Sequence, residues 1–178
     1  MSKIFFIRHG QSQWNVENKI CGSTDIPLTD QGREQARVTA ENIINQNIKA
    51  EKILYSPLSR AKETALIISE LTGIPAYEEP QLIEQNFGIY EGQPRNSEEF
   101  KIAKSHFVNR YESGESMLKL AQRIYNLLDD LKSKNSDIIL VAHNGISRVI
   151  HSYFYEMTND EYAAFGIKNC EIKTYNFN

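Results

Sequence analysis

The chain has 178 residues, enough for one compact domain with a real core and too few for two. It carries 20 Lys and Arg against 23 Asp and Glu, a formal charge of −3, so it lacks the basic excess that a nucleic-acid binder needs. With 40% apolar and 24% charged residues, nine glycines and five prolines, it is neither disordered nor linker-rich. In chain order, the apolar run at 4–8 reads as a buried strand. Thr29 then caps a helix running to about Gln46, with Ala36, Ala40, Ile43 and Ile44 inward. Lys52–Tyr55 is the next strand, and Ser56-Pro57 reads as a cap with proline at the first helical position. The following helix repeats Ala61, Ala65, Ile68 and Leu71 until Gly73-Ile74-Pro75 stops it, and a short strand is expected at 76–77.

Residues 93–113 are polar and irregular, a short cap or specificity segment. Residues 117–131 give the strongest helix signal, with Met117, Ala121, Ile124, Leu128 and Leu131 on one face. A strand at 137–142, a helix at 146–155 and a terminal strand at 171–177, at or near a sheet edge, complete the pattern. Strands separated by helices predict an α/β fold: a three-layer α/β/α sandwich on a mostly parallel sheet, as a single domain over 1–178. No apolar run approaches the roughly 18 residues that cross a bilayer, and the N-terminus does not read as a signal peptide. The expectation is a cytoplasmic protein without membrane or nucleic-acid partners. Cys21 and Cys170 form neither a disulfide framework nor a zinc site, and are expected as reduced thiols.

Ligands of open α/β sheets bind beyond the carboxyl ends of the strands. One strand here ends Arg8-His9-Gly10 and another His143-Asn144-Gly145, and the second strand leads through Ser56-Pro57 to Arg60. Two histidines and two arginines thus converge on one rim, with glycines that permit tight turns and close approach of backbone N–H groups to an anion. A lone His at a strand end is ordinarily structural, as is expected for His106 and His151. The paired motifs instead predict a phosphate site.

The sequence holds no Asp-x-Asp strand end, no His-Glu-x-x-His helix and no phosphate-binding Gly-Lys loop. Covalent catalysis on an imidazole, with arginines balancing the phosphoryl oxygens, fits better than metal-assisted hydrolysis, and no cofactor or metal is expected. A carboxyl must then protonate the leaving oxygen, and Glu84, Glu78, Glu79 and Glu91 all compete for that role.

The run Phe5-Phe6-Ile7-Arg8-His9-Gly10-Gln11-Ser12-Gln13-Trp14-Asn15 resembles the opening motif of the histidine phosphatase superfamily, the phosphoglycerate-mutase-like proteins. Gly22-Ser23-Thr24-Asp25-Ile26-Pro27-Leu28-Thr29, Tyr55-Ser56-Pro57-Leu58-Ser59-Arg60-Ala61, Leu82-Ile83-Glu84, Gly114-Glu115-Ser116 and Val141-Ala142-His143-Asn144-Gly145 follow in the same order. The resemblance implies that His9 becomes phosphohistidine, that Arg8, Arg60 and His143 bind the transferring phosphoryl group and that Asn15 contacts its oxygens. It matches Glu84 to the proton donor, and it puts Cys21 and Gly22 at the mouth of the phosphate pocket. There a small buried Cys21 side chain is the first reading, set against a reactive thiolate that the positive field of Arg8, Arg60 and His143 would favour. Asn144 departs from the family, many of whose members have glycine after the second histidine.

The implied activity is metal-independent hydrolysis of a small cytosolic phosphomonoester. The alternatives are a bisphosphoglycerate-dependent mutase, whose known members carry a longer basic insertion where residues 93–113 lie, and a catalytically weak phosphate-binding protein. Arg95, Lys101, Lys104 and Arg110 read as a solvated face or as contacts to a second anion. A homodimer is left open.

Overall fold

The computed structural model describes residues 2–177. Its sheet has five strands, β1 (Lys3–Arg8), β2 (Lys52–Tyr55), β3 (Ala76–Glu78), β4 (Ile138–Ala142) and β5 (Ile172–Asn176), in the order β3-β2-β4-β1-β5. The first four run parallel, and β5 pairs antiparallel with β1 at an edge. Ile4, Phe6, Ile138 and Leu140 face one side of the sheet, while Phe5, Ile7, Ile139 and Val141 face the other. Because side chains alternate along a strand, an unbroken apolar run serves two cores at once.

Among the described residues seven α-helices accompany the sheet: α1 (Gln13–Val16), α2 (Asp30–Asn45), α3 (Ser59–Thr72), α4 (Glu98–Ser105), α5 (Met117–Lys134), α6 (Asn144–Phe154) and α7 (Asn159–Ala164). The first side packs against α5 and α6 through Leu120, Ile124, Leu128, Val149 and Ile150. The second packs against α2 and α3 through Ala40, Ile43, Ala61, Ala65 and Ile68. The result is the expected three-layer α/β/α sandwich. Among the described residues, no helix is long and apolar enough to cross a membrane.

The sequence expectations need four corrections. Ile44 is 54% exposed, because it lies about 100° round the helix from Ile43, and Leu71 is likewise exposed. Helix α3 begins at Ser59 rather than at Pro57, since Leu58 is still extended and the Ser59 N–H is capped by Asp25 Oδ1 at 2.7 Å. Helix α6 starts directly after His143, two residues earlier than its apolar pattern suggested. Finally, the 93–113 segment is not irregular throughout: Ser97 caps α4, whose Phe100 and Ala103 are buried with Ile20, Phe87, Tyr90 and Tyr111 in a third cluster. That cluster fixes a cap over the carboxyl ends of β1 and β4.

Candidate active site

Parallel pairing of β1 with β4 sets Arg8 opposite Ala142, and the His9 N–H donates to Ala142 O at 2.9 Å. The next residues out, His9 and His143, therefore stand side by side with ring centroids 5.1 Å apart. From the neighbouring β2, Ser56 Oγ meets His143 Nε2 at 2.7 Å. His9, His143 and Ser56 are all buried.

His9 Nδ1 lies 2.6 Å from Gly10 O, which can only accept. Nδ1 therefore carries the proton and Nε2 keeps a free lone pair. Burial, with Arg60 and Arg8 nearby, holds the His9 pKa well below the ordinary histidine range. His143 is lowered in the same direction by burial first and by Arg60 next. Both rings are neutral near pH 7.

Arg60, from the first turn of α3, is 0% exposed. It donates to Thr24 O at 2.9 Å and to Gly22 O at 2.6 Å, drawing the 22–24 loop against the site. Arg8 Nη1 donates to Ile167 O at 2.8 Å, and burial, with Arg95 adding repulsion, lowers its pKa to about 10, still charged near neutrality. Asn169 Nδ2 donates to His9 O at 2.8 Å and to Asn15 Oδ1 at 3.4 Å, so the segment between α7 and β5 braces both residues.

Glu84 is separated from its competitors by position. It is buried and lines the same cavity as His9, Arg8 and Asn15. Its carboxyl group accepts from the N–H of Gln85 at 2.9 Å and of Gly145 at 2.8 Å, the latter in the first turn of α6. Glu91 is occupied elsewhere, accepting from the N–H groups of Ser23, Thr24 and Phe87, while Glu78 is exposed and Glu79 accepts from Gln81.

The glycines act differently from the expectation. Gly10 packs so closely on Gly32 that a Cβ would strike that backbone, and its N–H donates to Thr64 Oγ1. Gly145 does offer its N–H, but to an oxygen of the Glu84 carboxyl group. Gly22, like the buried Arg60 and His143, is not among the residues that line the cavity, and it serves through its carbonyl to Arg60. Cys21 does line the cavity, and burial outweighs Arg60 and pushes its thiol pKa up, which favours the small buried side chain over the alternative thiolate. Asn144 lines it too, while its Oδ1 accepts from Ile167 N at 3.1 Å.

Several contributors escaped the sequence reading. Arg123 on α5 pairs with Glu115 at 2.8 Å and donates to the carbonyls of Gln81 and Ile83, bracing the segment that carries Glu84. Arg148 lies one turn after Asn144 on α6, a spacing that could have flagged it, and lines the cavity with Arg95 and Lys104. Ser56 was read as a helix cap and is instead the partner of His143.

A family model described as histidine phosphatase superfamily (branch 1) matches residues 4–178. The chain belongs to the histidine phosphatase superfamily. A probable phosphoglycerate mutase of Yersinia pestis (strain Pestoides F) is 30% identical over 186 residues, spanning 99% of this chain and 86% of that protein. The structure of a mutant phosphoserine phosphatase from Entamoeba histolytica, in complex with phosphoserine, matches with a TM-score of 0.84 at 29% identity, over 100% of this chain and 92% of that one. A mycobacterial glucosyl-3-phosphoglycerate phosphatase shares the fold with a TM-score of 0.84 at 23% identity, over 97% and 89%. In this superfamily member, the resemblance seen in the motifs thus extends through the whole fold.

Proposed function

We propose that this histidine phosphatase superfamily protein hydrolyses a phosphomonoester through a phosphohistidine formed on His9. The observation that carries the reading is the His9 ring, neutral and with its proton fixed on Nδ1 by Gly10 O, which leaves Nε2 as the nucleophile. Arg8 Nε, Arg60 Nε and His143 Nδ1 are buried polar atoms without a protein partner, and phosphoryl oxygens would satisfy them.

Nε2 attacks phosphorus as the P–O ester bond breaks, and Glu84 gives its proton to the leaving oxygen, releasing an alcohol. Arg8 and Arg60 balance the charge on the equatorial oxygens. In the second step Glu84 takes a proton from water, whose oxygen attacks phosphorus. The P–N bond breaks, inorganic phosphate leaves and His9 is restored.

The experiment is brief incubation of the wild type with a 32P-labelled ester and an acid quench that follows an alkaline one. The expected result is a base-stable, acid-labile adduct, absent in a folded and inactive His9→Ala. Full activity in His9→Ala would overturn the mechanism. The name of the Yersinia relative supports mutase as a second reading. NMR of a monophosphoglycerate with catalytic bisphosphoglycerate decides between them, since phosphate release marks the hydrolase and isomerisation without free phosphate the mutase.

A further inference from the structure

Adjoining the cavity that holds His9, of about 110 Å³, is a second, outer chamber of about 420 Å³, within the range of about 300–1,000 Å³ typical of small-molecule pockets. The two share Arg95, Phe100, Lys104, Gly145 and Arg148. Phe107, Tyr111, Met117 and Tyr162 give the outer chamber aromatic and apolar walls, and Asp160 stands among its lining residues.

The shared wall is strongly cationic. Arg95 Nη2 donates to Lys19 O at 3.0 Å, Arg148 Nε donates to Phe165 O at 2.7 Å and Lys104 Nζ lies 5.4 Å from the Phe100 ring centroid. Among the described residues none of the three forms an ion pair. Burial and the charges of Arg148 and Arg95 lower the Lys104 pKa to about 8. Lys104 and Arg148 are partly buried and Arg95 is exposed, so repulsion falls mainly on the first two until an anion joins them.

The direction of the leaving group follows from Gly145. Glu84, the acid that would protonate the ester oxygen, is bound to the Gly145 N–H, and Gly145 lines both chambers. A group leaving past Glu84 meets the three cations first and the aromatic walls next. Of the charged residues that line only the outer chamber, Asp160 disfavours an acid and Lys101 is already paired with Glu98, which leaves the acid to the shared cations.

We propose that the substrate, given the phosphatase reading above, is a phosphomonoester whose leaving group bears an acid close to the ester oxygen, bound by Arg95, Lys104 and Arg148, and an apolar body beyond it that fills the outer chamber. The acid neutralises the cationic wall, and the apolar body takes Phe107, Met117 and Tyr162 out of water. A small polar leaving group would use the first feature and leave the second unused.

The test is calorimetry of the wild type with phosphonates in which CH2 replaces the ester oxygen, patterned on phosphorylated phenyllactate (acid and ring), lactate (acid alone), phenylpropan-2-ol (ring alone) and propan-2-ol (neither). The first should bind about tenfold more tightly than either single-feature ligand. Lys104→Gln should erase most of the gain from the acid, and Ala163→Phe, on the exposed face of α7 at the chamber wall, most of the gain from the ring. Affinities within about twofold of one another would overturn the proposal. Turnover of the matching esters and of p-nitrophenyl phosphate is read separately. Turnover without binding preference sinks the chamber alone, whereas binding preference without turnover upholds the chamber as a ligand site and sinks the hydrolase reading.

Discussion

Glu84 Oε2 accepts a hydrogen bond from the Gly145 N–H at 2.8 Å, and a Cβ added to Gly145 would lie 2.5 Å from the other oxygen of the same carboxylate. The acid is thus seated on a residue with no side chain, in the first turn of the helix that follows His143. Gly145→Ala should turn the carboxylate away while leaving the fold in place, because the atoms that must move end a flexible side chain. Turnover of alkyl phosphates is expected to fall by about 10²-fold or more, with stability changed by about 1 kcal/mol or less. Unchanged kcat at unchanged melting temperature would show that Glu84 does not deliver the proton from this seat.

Stability should fall on the acid side of neutrality. His9 and His143 both have pKa values held below that of an unfolded imidazole, about 6.5. Above that pH neither state is protonated and the contribution is complete. As pH falls through and below it, the unfolded chain takes up protons that the folded protein refuses, and stability is lost by up to about 1.4 kcal/mol per pH unit for each ring. Urea midpoints between about pH 7.5 and 5.5 should decline, and His9→Asn should flatten the decline. A midpoint that does not move would contradict the burial of the rings.

Ser56→Ala should weaken both fold and function. His143 Nε2 would lose the 2.7 Å contact to Ser56 Oγ inside a buried site, at a cost of about 1–3 kcal/mol in denaturant unfolding. With the ring free to turn, kcat should also drop. Wild-type stability and kcat in the variant would mean that His143 is held by β4 alone.

Neither thiol should react quickly at neutral pH. Burial raises the Cys21 pKa and pushes that of Cys170 up to about 11, so both are overwhelmingly protonated at pH 7. Mass spectrometry after iodoacetamide should show slow labelling that accelerates with pH, and phosphate should protect Cys21 because it lines the His9 cavity. Rapid labelling of Cys21 at pH 7 would favour the alternative thiolate over the small buried side chain.

Elements whose signal is local were readable from the chain. The apolar strands and the long helix read at 117–131, which runs on to Lys134, declare themselves by periodicity, and the strand ends bearing His9 and His143 announce a rim. Contributors that depend on distant partners were not. Ser56 looks like a helix cap until β4 brings His143 beside it, and the true cap, Asp25, comes from another loop. Helix α4 shows only two buried residues, and their partners Ile20, Phe87 and Tyr90 come from before it in the chain. Residue patterning alone left four glutamates open and the motif resemblance selected Glu84, while its hydrogen bond from α6 is a long-range contact that no local pattern announces.

Strand β1 finds both its neighbours near the other end of the described chain, with Ile4 against Ile138 and Lys3 against Asn176. Contacts of such sequence separation form slowly, since the intervening chain must be gathered before they stabilise anything. The nucleophile's strand therefore waits longest for its place. After dilution from denaturant, helical signal should return well before activity, and a chain arrested during synthesis before β4 would carry the nucleophile yet have no working centre around it.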